Sequence, residues 1–543
     1  MLPARLPSPR LRFQALTIVS RLYAATPGMV ILMEENTFLC SESLMMTRAN
    51  RQPSQKRSAT KATAQKDVRQ PFGGRAAAYR TIWRWHFYAG LFCLPFVAIL
   101  SISGAVYLFK PQIDAFLDRP YDRLALSSDP KRLDEQVAAA LKARPDARLT
   151  ALELRNAPSD ATRIRLMTRD GVALRALVRP DTLEIMAMET EKSRFSTIMH
   201  DIHGELLLGE PGAIVMELAG AWAIVMILTG LYLWWPSGRI GFAGVFYPRL
   251  GASGRSLLKD LHSVTGFWLS LFALFFLISA LPWAKVWGSS FKYLRSIGAE
   301  REVRQDWTTG PASAQAQRQE MFNAARPGQS EAEDEHAAHG AHQNGDAAPQ
   351  MVSPYPTGFD KIAVRVFPLS LPEPVLIAPP SPAAPNWVVR SDTQNRPKRV
   401  TLEFDPITFN LVKESSFGDR PLIDRVIGVG VAAHEGQLFG WFNQLLGLMT
   451  ALGYLVLVVT STLMWWRRRP IGILGAPPEI LPRRRLAAGL IGLIAVIGVL
   501  LPTLGLSMLA TLGIEALIRR RFPATGRWLG LEPIRVTAAP RRA

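Results

Sequence analysis

The side chains of this 543-residue chain best placed for chemistry are imidazoles. Five of its eight histidines lie beside long apolar runs: His86, His200, His203, His262 and His434. Four of the five occupy duplicated positions. His203 opens the segment His203-Gly-Glu-Leu-Leu-Leu-Gly209, and the apolar run that follows ends in Trp234-Trp235. His434 opens His434-Glu-Gly-Gln-Leu-Phe-Gly440, and its run ends in Trp465-Trp466, with 31 residues from histidine to first tryptophan in both copies. His86 and His262 each precede a glycine by four residues (Gly90, Gly266) and a serine by 17 (Ser103, Ser279). Matching offsets at two places in each half mark an internal duplication.

An ionisable group at membrane depth is costly, which makes a functional role the default reading. Any one of these histidines alone reads equally as an interfacial side chain bonded to a carbonyl. Two at each membrane face, each pair drawn from different helices, is what bis-imidazole ligation of a haem iron requires. Gly90 and Gly266 sit one turn along from their histidines, and their missing side chains leave room for a porphyrin edge, or else simply let helices pack closely. Haem is preferred to zinc because no carboxylate or cysteine set accompanies the imidazoles. Without a Cys-x-x-Cys-His motif, the two haems would be b-type, bis-His and noncovalent. The expected pairs are His86 with His262 on the inner side and His203 with His434 on the outer side; His200 would share a helical face with His203 and stands as its alternative. A separate group, His336, His339 and His342, among acidic residues, is a candidate loose metal site or an incidental feature of a soluble linker.

The elements that must hold these residues are set by the apolar runs. The chain is 48% hydrophobic, and four stretches suffice to cross a hydrocarbon core that needs about 20 apolar residues of helix. They are about 82–109, 213–235, 261–283 and 441–466, placed in transmembrane segments 81–110 (TM1), 196–236 (TM2), 260–285 (TM3) and 431–467 (TM4). A fifth stretch, 486–518, with Pro502 near its middle, reads as a fifth span or a C-terminal hairpin. The 63 Lys+Arg against 44 Asp+Glu give a formal charge of +19, which in a membrane protein serves orientation and is no argument for nucleic acid. Basic residues gather before TM1, in the loop 237–259, in the loop 468–485 and in the tail 519–543. The positive-inside rule places these in the cytoplasm and the long connections, about 110–200 and 286–433, outside.

Each long connection reads as a small α+β module, the first at 111–195 and the second within 286–430. In the first, an amphipathic helix over 134–142 precedes strands at 149–155, 163–168, 173–179 and 183–188. In the second, a helix near 358–364 precedes strands at 387–390, 399–404 and 411–414. Residues 308–350 have the composition of a disordered linker. Residues 1–80 read as a disordered basic region, with Met45 or Met46 the more natural start. Cys40 and Cys93 are too few and too far apart for a disulfide framework. There is no Walker A lysine motif, no dinucleotide-binding glycine fingerprint, no His-Glu-x-x-His and no Gly-x-Ser-x-Gly, which disfavours an ATP-driven transporter, a self-contained NADH reductase and a metalloprotease.

Trp85-His-Phe-Tyr-Ala-Gly-Leu-Phe92, Ser103-Gly-Ala-Val-Tyr-Leu-Phe-Lys-Pro-Gln112, Thr229-Gly-Leu-Tyr-Leu-Trp-Trp-Pro236 and Leu261-His-Ser-Val-Thr-Gly-Phe-Trp268, with the two histidine-led segments, resemble the PepSY-associated transmembrane helix family over roughly residues 80–470. Its members are bacterial inner-membrane proteins, among them ferrisiderophore reductases. The resemblance implies a membrane all-α bundle with two periplasmic PepSY-like modules, haem ligands at His86, His203, His262 and His434, a ferric siderophore as periplasmic electron acceptor, and a quinol or cytoplasmic reductase as donor. PepSY domains are also associated with peptidase inhibition. A binding or regulatory protein acting on a periplasmic peptidase or envelope partner is therefore the alternative, and a metal-binding transport accessory is a third.

Overall fold

The computed structural model describes residues 74–235, 241–297, 356–381, 384–477, 492 and 495–531. The apolar runs form four long helices: α1 (Gly74–Tyr107), α5 (Glu210–Trp234), α6 (Gly254–Ala280) and α10 (Trp441–Arg468). Among the described residues these four are the helices long and apolar enough to cross a membrane, with mean hydropathy of 1.9 to 2.2 over their apolar windows. α1 packs on α5 and α10, and α6 packs on the same two, which closes a four-helix ring with α1 and α6 on one diagonal. The second long helix of each half is preceded by a shorter one, α4 (Phe195–Glu205) before α5 and α9 (Leu422–His434) before α10. The chain turns from the short helix into the long one through Gly209 (φ 66°) and Gly440 (φ 62°). Both lie in the left-handed region open to glycine, which explains why a glycine stands six residues after the histidine in each copy.

Both long connections leave the bundle at the same end, and there the two expected modules turn out to be one. β1 (Ala147–Leu154), β2 (Thr162–Thr168), β3 (Ala173–Val178), β4 (Ile185–Thr190), β5 (Val375–Ala378), β6 (Trp387–Ser391), β7 (Val400–Phe404) and β8 (Leu411–Ser416) make a single antiparallel sheet of order β4-β3-β2-β1-β5-β6-β7-β8. The strand absent from the sequence reading is β5, four residues long and flanked by prolines, and it is the one that joins the halves, pairing Leu152 with Ile377 and Leu154 with Val375. Joining β1 to β5 removes two exposed strand edges.

One face of the sheet carries α3 (Leu133–Ala143) and α8 (Phe359–Val366) over a common core in which Leu152, Ile164, Val178, Phe359, Ile362 and Ile377 are fully buried. The two helices cap each other. Asp134 of α3 accepts the N–H groups of Gly358 (2.9 Å) and Phe359 (2.8 Å), and Asp360 of α8 accepts those of Leu133 (2.9 Å) and Asp134 (3.3 Å). Each half thus supplies the anion that satisfies the orphan donors at the other half's helix start. The opposite face of the sheet looks toward the bundle with Arg163, Arg165, Arg175 and Glu153. There Arg175 makes bidentate hydrogen bonds (2.9 and 2.8 Å) to Asp118, which follows α2 (Lys110–Leu117), and this pins the sheet above α1.

Among its described residues the C-terminal hydrophobic stretch folds back on itself and has no helix long and apolar enough to count as a fifth span. A helical stretch over 495–500 breaks at Leu501 and continues as α11 (Pro502–Arg521). A Cβ on Gly498 would lie 3.2 Å from the Cα of Gly505, an approach possible only where the chain reverses. Leu501 and Leu504 pack against Ala221 of α5. Glu217 of α5 accepts the N–H groups of Val286 (2.7 Å) and Trp287 (3.1 Å) at the start of α7 (Lys285–Ser296), and the hydroxyl of Thr503 (3.2 Å). After α12 (Pro523–Leu529), the chain returns to the end of the bundle remote from the sheet, where Arg84 donates to the carbonyl of Gly530 (3.1 Å). Residues 1–73, the linker 308–350 and His336, His339 and His342 lie outside the described residues, while 74–80, expected in the disordered N-terminal region, form the first turns of α1.

Candidate functional site

The four duplicated histidines meet in two pairs, each across a diagonal of the ring. His86 of α1 faces His262 of α6 with ring centres 6.4 Å apart and planes at 77°. His203, from α4, faces His434, from α9, with ring centres again 6.4 Å apart and planes at 89°. An imidazole nitrogen bonds a transition metal at about 2 Å. The ring centre lies roughly 1 Å behind that nitrogen, so two axial imidazoles on one iron have centres about 6–6.5 Å apart. Both pairs have that spacing.

The hydrogen bonds at the back of each ring decide which nitrogen faces inward. His203 Nδ1 lies 3.1 Å from Ser103 Oγ, and His434 Nδ1 lies 2.9 Å from Ser279 Oγ. His86 Nδ1 lies 3.2 Å from Thr229 Oγ1 and 3.0 Å from the carbonyl of Met226, while His262 Nδ1 lies 3.3 Å from Thr460 Oγ1. Each of these hydroxyls already donates its proton to a carbonyl of its own helix: Ser103 to Ile99, Ser279 to Phe276, Thr229 to Val225 and Thr460 to Val456. They can therefore only accept, which assigns Nδ1–H to every histidine and leaves the Nε2 lone pair for a ligand. Burial holds the His203 imidazole far below its ordinary range, at about 3, with the charges of His434 and His200 acting in the same direction and a bond to the Leu100 carbonyl opposing them. Burial likewise lowers His434 to about 4, against the Phe276 carbonyl and aided by Arg396. Both are neutral at physiological pH, as a metal ligand must be.

A continuous cavity of about 1540 Å³ links the two pairs, from Trp83 and Trp465 at the end remote from the sheet to Arg163 and Arg175 beneath the strands. Its middle is walled by aliphatic and small side chains such as Leu94, Val97, Ala223 and Ala273. Gly90 and Gly266 both line it; a Cβ there would stand in ordinary contact with Met226 (3.8 Å) and Leu457 (3.7 Å). Two other glycines are tighter. A Cβ on Gly104 would lie 3.0 Å from His203 Cε1, and one on Gly230 would lie 3.0 Å from His86 Cε1, so both hold space for an imidazole. His200 also lines the cavity, but its Nδ1 lies 3.3 Å from Asp201 and its ring lies beside Tyr107, while His203 is the ring that meets His434. Among the described residues no cluster of three or more His, Cys, Asp or Glu could hold an ion. Two nitrogens per site do not complete a zinc sphere, whereas a macrocycle that brings four of its own needs only these two.

Sequence reasoning missed Thr229, Thr460, Gly104 and Gly230. The threonines were detectable, since each stands 26 residues after its half's second histidine. The glycines were not, because Ala280 and Ser461 occupy the matching places in the other half.

A duplicated four-helix bundle with one extramembrane sheet and paired imidazoles at both ends defines a multi-pass membrane protein. Residues 83–468 match the PepSY-associated TM region family, and the chain belongs to that family. No curated protein matches it significantly.

Proposed function

We propose that the protein is a di-haem b oxidoreductase of the bacterial inner membrane that passes electrons outward to a periplasmic ferric chelate, a ferric siderophore above all. The 6.4 Å separation of both imidazole pairs, with every Nδ1 committed to an acceptor, carries this reading. His86 and His262 would hold one group and His203 and His434 the other, and such groups supply one-electron transfer between the two faces. The serine and threonine acceptors fix ring orientation and tautomer. The apolar mid-cavity excludes water, which suppresses proton leakage along the same path. The sheet, with its arginine- and carboxylate-lined inner face, forms the chamber over the His203/His434 end where a chelate would dock. Electrons would enter at the opposite end from a quinol or a cytoplasmic reductase. Reduction of ferric to ferrous iron weakens its hold on hard oxygen ligands and so releases the metal for uptake.

The absorption spectrum of the full-length protein purified from haem-replete cells tests the reading. The expected result is a Soret band with six-coordinate, low-spin features and two haems per chain. A folded, colourless preparation would favour a binding or regulatory role for the sheet domain, with the helices as its scaffold.

A further inference from the structure

The two ends of the cavity differ in charge. Among the described residues every carboxylate on its wall comes from the sheet, from the segments beneath it or from the sheet-proximal part of α5. At the sheet end every cation on the wall except Lys192 has an ion pair, among them Lys110 with Asp114 (2.6 Å), Arg194 with Asp114 (3.2 Å) and Arg396 with Glu435 (2.9 Å). At the opposite end Arg255, Lys259 and Arg468 line the cavity, and among the described residues no carboxylate forms an ion pair with any of them. Orientation in the bilayer requires basic residues near this face but does not require them to point inward. Lys259 and Arg255 fall one and two turns before His262 on the stripe of α6 that continues to Gly266, all of it cavity wall. Arg468 is held on the other side, its guanidinium 5.2 Å from the Trp83 ring and 5.4 Å from the Phe87 ring, with one N–H on the Gly475 carbonyl (3.0 Å). Trp83 and Phe87 flank His86 on α1. Arg468 and Arg255 lie within electrostatic reach of each other. Concentrating like charge around a half-enclosed cavity is unfavourable unless an anion enters it.

We propose that Arg468 and Lys259, backed by Arg255, bind the two propionate carboxylates of the haem held between His86 and His262. A b-type haem carries its two carboxylates on one edge; Lys259 and Arg255 stand on α6, which supplies His262, and Arg468, at the end of α10, lies against Trp83 and Phe87 of α1, which supplies His86. These cations would turn that edge toward the basic end and neutralise it. The inference rests on the haem reading above. It adds which way the group faces and predicts that the two sites differ in potential: one would have its carboxylates compensated by cations that have no acid partner among the described residues, the other lies among cations nearly all matched by acids.

The test uses the full-length protein carrying His434→Ala, so that only the His86/His262 site is observed, with and without Arg468→Gln and Lys259→Gln. The neutralised protein is expected to bind haem at least tenfold more weakly. Its midpoint is expected to fall by about 59 mV, equivalent to a tenfold shift for a one-electron couple. Arg468→Lys should restore most of the effect. In a second arm, protein made in haem-deficient cells is loaded with haem b or its dimethyl ester. The parent should discriminate against the ester about tenfold, and the neutralised protein should take both alike. Equal affinity of the parent for diacid and diester, or an unmoved midpoint, would overturn the assignment. So would a midpoint shift that appears only with phosphatidylglycerol vesicles and vanishes in neutral ones, which would assign the cations to lipid headgroups. Failure of the haem reading itself is distinguishable: the protein without the arginine and lysine changes would show no Soret band.

Discussion

Gly104→Ala is the most direct probe of the outer imidazole pair. It adds one methyl group to α1 and removes nothing. That carbon would stand 3.0 Å from Cε1 and 3.3 Å from Nδ1 of His203, where relaxed carbon contacts lie at about 3.5–4.0 Å. The ring must therefore retreat by about half an ångström, which alters its approach to whatever lies between it and His434. Overpacking of this kind costs about 1–3 kcal/mol, and at about 1.4 kcal/mol per tenfold the outer group should bind roughly five- to a hundredfold more weakly. Alanine is a better helix former than glycine, so α1 itself is not weakened. The assay is haem content and low-spin signal per site by absorption and electron paramagnetic resonance. The expected change is a high-spin or vacant outer site beside an unaltered inner one, and Gly230→Ala should give the mirror result through His86. Two fully occupied low-spin haems of wild-type affinity in Gly104→Ala would refute the reasoning, because His203 could not then stand against Gly104 as an axial ligand.

Other perturbations separate the parts. His86→Ala and His434→Ala should each remove about half the haem, measured per chain by pyridine haemochrome, and together nearly all of it, since they serve different sites. Ser279→Ala deletes the acceptor 2.9 Å from His434 Nδ1 and should weaken the outer site alone, by about tenfold in haem dissociation, as loss of an outer-shell partner does. Burial by itself would raise the Asp118 carboxyl, but hydrogen bonds from Arg175 and the charges of Arg194 and Arg163 hold it below the ordinary carboxylate range. Its stabilising contribution is therefore complete above about pH 4 and lost as pH falls through the depressed value. Asp118→Asn takes the bidentate acceptor from Arg175, which keeps Glu189 (3.1 Å), so it should cost about 2 kcal/mol at pH 7 and flatten the acid limb of thermal stability; an unchanged acid limb would count against this pair as the sheet's anchor.

How far the molecule could be read in advance follows from the range of the forces involved. The four core spans and their extent were legible because twenty apolar residues without charge have few other fates, and the expected 213–235 became Glu210–Trp234; whether 486–518 made a fifth was not. The pairing of histidines was legible because duplication repeats the same offsets, so His86 with His262 and His203 with His434 followed from symmetry alone. Strand positions were legible from alternation, except for β5, whose four residues between prolines are too short to show a period.

What the tertiary structure alone decided depends on contacts between segments remote in sequence. The union of two modules into one sheet rests on β1 meeting β5 across more than two hundred residues, and on Asp134 and Asp360 capping each other's helices. The choice of His203 over His200 depends on which ring the α4–α5 turn aims across the bundle. The tautomer depends on hydroxyls whose protons are spent on their own helices. The reversal at Leu501 depends on α5 offering Ala221 and Glu217 to receive it. Local composition and periodicity record which elements form; the distance between two imidazoles is a property of the whole ring of helices.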